Sequence, residues 1–200
     1  LGAISYTTIR SQIRDAIEAE LREDADRLAR RIERLLSAIN ENAANLAYNN
    51  IVANSLQDPR GRERYLVPFL LSYQLPEHVS FTLALRDRRG RVLAGTSPAT
   101  SQRHAQDPAL FEQVVKTGMP VADLLPGERN NTLVIAYPVY APSSTGPEGY
   151  LVLDVLLDDV FERALRMESA AQPKNVSLQC CDDTIWEHRT FEAKNTATSS

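Results

Sequence analysis

The sequence predicts an α+β protein in which a long N-terminal helix packs on a five-stranded antiparallel sheet. Three observations carry this. An apolar stripe at helical spacing runs through the first fifty residues, the segment from Val79 to Arg86 switches to a period of two, and two strong strand segments, TLVIAYPVYA and GYLVLDVLL, follow. Strands grouped together, with helices outside them, argue for an antiparallel sheet rather than an alternating parallel one.

The helix comes first. Ile9, Ile13, Ile17 and Leu21 are four apart, and Leu28, Ile32, Leu35, Ile39 and Leu46 continue on alternating four-and-three spacing, with Ala43 filling the gap. No Gly or Pro interrupts residues 3 to 58, and pairs such as Glu23–Arg27 and Arg30–Glu33 dress the opposite face. A helix of ~50 residues is about 75 Å long, more than a small domain's diameter, so the Ile9–Leu21 end is expected to project. It would pair with a second copy as a coiled coil or continue into a membrane helix; a long edge helix of a bundle is the alternative.

Pro59 and Gly61 break the pattern, and a short helix from Glu63 to Tyr73 follows, with Tyr65, Phe69 and Leu70 on one side. Val79, Phe81, Leu83 and Leu85 then alternate with Ser80, Thr82, Ala84 and Arg86, and DRRG turns the chain into the return strand RVLAG. After the loop SPATSQRHAQ, Asp107 and Pro108 start a helix through Leu110, Phe111, Val114 and Val115, and Gly118 suits its C-terminal cap. A strand at Val121 to Leu125 and the PGERNN turn lead to the two strong strands, Thr132–Ala141 and Gly149–Leu157, joined by PSSTGPE as a hairpin. DDVFERALRM leaves the sheet as a helix. VSLQCC and TIWEH read as a further hairpin before a small, polar tail.

Composition narrows the function. The chain of 200 residues is 43% hydrophobic with a net charge of −4, and ARRIER and RDRRGR read as solvated faces, so nothing favours nucleic acid. Cys180 and Cys181 are adjacent, which offers neither a disulfide framework nor a CxxC motif. No apolar run approaches the roughly 18–20 residues of a transmembrane helix. The chain starts without Met and ends in NTATSS, so an excised piece, with any membrane anchor outside it, is expected. His78, His104 and His188 are scattered, and no HExxH, Walker loop or GxSxG occurs, so we expect neither a catalytic residue nor a metal or cofactor.

One residue stands out. Asp154 lies in the middle of GYLVLDVLL, and an isolated buried carboxylate costs several kcal/mol unless something pairs with it. Leu151, Leu153, Val155 and Leu157 face one way, while Tyr150, Val152, Asp154 and Leu156 face the other. The first face is assigned to the long helix and the second to a concavity holding Asp154. Either a ligand uses that carboxylate, or a nearby Arg or backbone amide pairs with it as structure.

The order of motifs resembles a known family. A long helix leads into LALRDRRGRVLAG, then a helix ending at Gly118, a strand carrying YPVY, and the Gly-initiated GYLVLDVLLDDVF. Over about residues 5–165 this is similar to the extracytoplasmic Cache sensor domain, also described as PAS-like or PDC, in the double-Cache form of bacterial transmembrane receptors. The resemblance implies a long N-terminal signalling helix at 1–57 and a membrane-distal Cache/PAS-like sensor domain at 58–168. Residues 169–200 would be a linker and the start of a truncated second module. It further implies a periplasmic, non-enzymatic sensor of small molecules in a membrane-anchored parent. A histidine kinase is preferred for that parent over a diguanylate cyclase, phosphodiesterase or chemoreceptor. A homodimer through the N-terminal helix is expected, and a ligand-free protein-interaction domain of the same fold is the rival.

For the site, the resemblance implies that Asp154 holds a ligand ammonium, with Tyr137 beside it if the hairpin register pairs the two. The family's Arg-x-Trp-Tyr run before the middle helix is replaced here by Pro108-Ala109-Leu110-Phe111, so the guanidinium that clamps a carboxylate is missing and Phe111 lacks a hydroxyl. Arg103 or His104 in the preceding loop would have to substitute. The expected ligand is therefore an amine or amino-acid-like cation.

Overall fold

A computed structural model describes residues 2–97, 108–125, 131–166, 175–180 and 183–189. Helix α1 spans Gly2–Ala47, and α2 spans Asn50–Ser55. The long helix therefore ends at Ala47, not at residue 57. Asn49 is the reason: its backbone is extended, and its side chain accepts from the Ile51 N–H at 2.8 Å, which caps a new helix.

The next helical run, α3, has three pieces: Pro59–Gly61, a wider π-type turn at Arg62–Leu66, and Val67–Ser72. It starts earlier than Glu63 because Asp58 accepts from the Arg60 N–H with Pro59 at the first position. Its buried side is Leu66 and Leu70; Tyr65, expected there, is exposed, because the wide turn rotates it outward. Glu77 and His78 then turn the chain with φ of 54° and 53°, into β1.

Strands β1 (Phe81–Asp87), β2 (Val92–Gly95), β3 (Val121–Leu125), β4 (Thr132–Val139) and β5 (Gly149–Leu156) form an antiparallel sheet in the order β2-β1-β5-β4-β3. Helix α4 (Pro108–Thr117) precedes β3, and α5 (Leu157–Arg166) follows β5. Gly118 ends α4 at φ +64°, a conformation that favours glycine. The Asp107 cap lies outside the described residues. Strands β6 (Asn175–Cys180) and β7 (Asp183–Arg189) pair as a separate hairpin.

Because β5 is the central strand and is covered on both faces, its sequence is almost continuously apolar. Leu151, Leu153, Val155 and Leu157 join Leu28, Ile32, Leu35, Ile39, Ala43 and Leu46 of α1 in the main core. Tyr150 and Val152 belong to a smaller core with Phe111 and Val114 of α4, Val134 and Ala136. The sheet is thus sandwiched between α1 and α4, as the alternation along β5 requires. The first turn of α5 is tied to the start of β1: the Ser80 N–H donates to Asp159 at 2.6 Å, and Arg163 pairs with the same carboxylate at 3.1 Å. Burial alone would raise the Asp159 carboxyl, but these bonds outweigh it and hold it below the usual value.

Candidate functional site

Asp154 sits on the α4-side face of β5 and is only 7% exposed. The register sets its neighbours. It lies opposite Thr82 of β1 and opposite Val134 of β4, which in turn lies opposite Asp123 of β3. Directly opposed residues share a face, so one row across the sheet reads Thr82, Asp154, Val134, Asp123. The Thr82 hydroxyl donates to Asp154 Oδ2 at 3.2 Å, and the Leu124 N–H donates to Asp123 Oδ1 at 2.8 Å. One strand, β4, lies between the carboxylates, which puts their Cα atoms about 10 Å apart at sheet spacing, with the apolar Val134 between them. Among the described residues, this row carries two carboxylates, which suits a cation better than an anion.

Tyr137 does not join this row. It is paired with Leu151, which points to α1, so it lies on the opposite face from Asp154. This corrects the expectation that the two meet. The slip follows from the apolar run on both strands: with both faces buried, alternation alone does not pin the register. Tyr137 instead donates to the main-chain carbonyl of Asn40 in α1 at 2.9 Å and lies against the Asn40 side-chain oxygen. Burial first, and the nearby Tyr48, push its phenol up to about 12.

Phe111 is on the right face but at its other end. Its ring stacks on Tyr150 at 4.9 Å between centroids and 13° between planes. Tyr150 is four residues from Asp154 along β5, ~13 Å at strand rise. Phe111 therefore closes the far part of the face and is not brought beside Asp154. Arg103 and His104 lie outside the described residues.

Sequence reading missed Thr82, Asp123 and Arg86. Among the described residues, Arg86 supplies a guanidinium on this face. It is 4% exposed, lies opposite Tyr150, donates to the Gly90 carbonyl at 2.9 Å, and sits 5.6 Å from the Phe111 ring centre. Its bond to Gly90 holds it at the hairpin turn, away from Asp154. The alternation in FTLALRD already placed Thr82, Ala84 and Arg86 together; what it lacked was a partner strand. Among the described residues, no group of His, Cys, Asp and Glu could hold a metal ion, and no helix is long and apolar enough to cross a membrane.

No protein-family model matches the sequence, and no curated protein matches it. Solved structures do. The chain is similar to the sensor domain of the Vibrio cholerae histidine kinase DctB, with 16% identity and a TM-score of 0.50 over 74% of this chain and 59% of that one. The chain has a PDC-like fold, a long N-terminal helix on a five-stranded antiparallel sheet. The same fold relates it to the periplasmic domain of Vibrio cholerae LuxQ, with 14% identity and a TM-score of 0.50 over 86% of this chain and 78% of that one. The chain spans 59% of the DctB domain's length. In this fold, the row through Asp154 lies on the face opposite the long helix.

Proposed function

We propose that the chain is the extracytoplasmic, ligand-sensing domain of a membrane-anchored signalling protein, a histidine kinase in preference to a cyclase, phosphodiesterase or chemoreceptor. The observation that carries this is a buried carboxylate, Asp154, bonded to Thr82 on the central strand of a sensor fold. The ligand is an amine or amino-acid-like cation, because Asp154 and Asp123 put two carboxylates in one row of that face. On this reading the domain lies in the periplasm as the membrane-distal module of a double-Cache receptor, is not itself an enzyme, and β6–β7 opens the second module.

A thermal-shift screen against primary amines, amino acids, carboxylates and sugars tests it. A ligand at ~100 times its dissociation constant adds about 2.7 kcal/mol, roughly 5–10 °C for a chain of this size. The expected result is a shift with amines that Asp154→Ala abolishes while the unliganded fold remains. An unchanged shift in that variant would remove Asp154 from the site.

The second reading, a ligand-free interaction domain, is favoured by one feature: Phe111 and Val114 already sit on Tyr150 and Val152. A screen with no hit in any class supports it.

The partner implied in both readings is a second copy. Ile17 and Leu21 of α1 are 51% and 62% exposed, one turn apart, outside the stretch that packs on the sheet. Sedimentation should show a dimer that Ile17→Glu with Leu21→Glu shifts to monomer. A monomeric wild-type chain would contradict this.

A further inference from the structure

Two tyrosines from different elements hold α1 by its main chain. The Tyr137 hydroxyl of β4 donates to the Asn40 carbonyl at 2.9 Å, and the Tyr73 hydroxyl, just past α3, donates to the Asn42 carbonyl at 3.0 Å. Residues two apart on an α-helix are about 200° apart around its axis. The two phenols therefore grip α1 from nearly opposite sides.

The other contacts of α1 with the sheet are apolar, through Ile32, Leu35, Ile39, Ala43 and Leu46. Apolar burial is non-directional, so a small rotation or slide retains most of it. A hydrogen bond depends steeply on distance and angle. The Arg31 guanidinium also donates to the Ala164 carbonyl of α5, at a longer 3.5 Å, so the two phenols are the shorter directional contacts that distinguish one helix position from another. Both stay protonated donors at neutral pH, since burial raises each phenol.

Both arms of the grip lead back to the Asp154 row. Tyr73 meets the Phe81 ring edge-on, at 6.0 Å and 88°. Phe81 precedes Thr82, the residue bonded to Asp154. Tyr137 is on β4, which carries Val134 opposite Asp154. Strand β4 holds one side of α1 directly through Tyr137, and β1 reaches the other side through the contact of Phe81 with Tyr73.

We infer that Tyr73 and Tyr137 form a two-point collar that fixes the rotation and axial position of α1 on the sheet, and through which a change at the Asp154 row reaches the helix. The relay half rests on the ligand-sensing reading; the mechanical half does not.

The test uses the 200-residue chain with Cys180→Ser and Cys181→Ser, spin-labelled at Glu33→Cys on α1 and Met119→Cys beyond α4, and reads the distance distribution by pulsed dipolar spectroscopy. Both label sites are exposed. With the tyrosines intact, one narrow distance is expected. Tyr73→Phe with Tyr137→Phe keeps both rings and should add a second, shifted population while far-UV circular dichroism is unchanged. The same narrow distance in that variant would overturn the collar. Should the double variant fail to fold, each single variant carries the test, with a broadened distribution expected from either. No ligand enters this experiment, so its failure leaves the amine screen standing, and failure of the screen leaves the collar standing.

Discussion

The phenols of Tyr137 and Tyr150 are both nearly inaccessible, at 2% and 1% exposure, and burial pushes each up to about 12 from the ordinary 10.0. For Tyr150, Arg86 pulls the other way and Asp87 adds to the rise. The folded values lie above the unfolded ones, so above pH 10 the unfolded chain loses these protons first. Stability is then fully present below about pH 10 and falls as pH rises towards 12, on the order of 2 kcal/mol for each group. A urea midpoint series across that window should fall steeply for the wild type and less steeply for Tyr137→Phe; equal slopes would refute the burial argument. At this scale the sequence was half legible. Asp154 was visible because a charge interrupts an apolar run. Thr82 and Asp123 were not, because each looks like an ordinary strand residue until the register sets it beside Asp154. Tyr137 was misplaced for the same reason.

The elements themselves were easier to read, since periodicity reports them directly. The α1 stripe, the period-two segment of β1, the Gly118 stop and the two apolar strands all appear where the pattern puts them. What the pattern could not supply was the break at Asn49, where one side chain redirects the chain without Gly or Pro, and the wide turn at Arg62–Leu66. Nor could it supply the sheet order, which depends on long-range pairing. Gly149 shows how tightly that pairing is built. A Cβ there would lie 2.3 Å from the Arg86 carbonyl and 2.7 Å from Leu56 Cδ2. Strand β1 and Leu56, the residue after α2, both close on this point, and only the Leu56 side chain can yield. Gly149→Ala should therefore destabilise the fold by about 3 kcal/mol, in the upper range for overpacking. Denaturant melts check this; a loss under about 0.5 kcal/mol would mean that the β1–β5 register is looser than described.

For the whole molecule, the sheet separates two surfaces. The α1 face is continuous core with a helix that outruns it; the α4 face carries the row of Thr82, Asp154, Val134 and Asp123. The proposed sensing on one face and transmission on the other would require a connection across the sheet, and the two tyrosines are placed to provide one. The most direct measurement is an amide chemical-shift map of the isotope-labelled chain titrated with primary amines and amino acids. The expected shifts centre on Thr82, Asp123, Val134 and Asp154 and extend to Asn40 and Asn42 on α1. Shifts that leave this row untouched, or that gather elsewhere on the domain, would contradict this reading of the site.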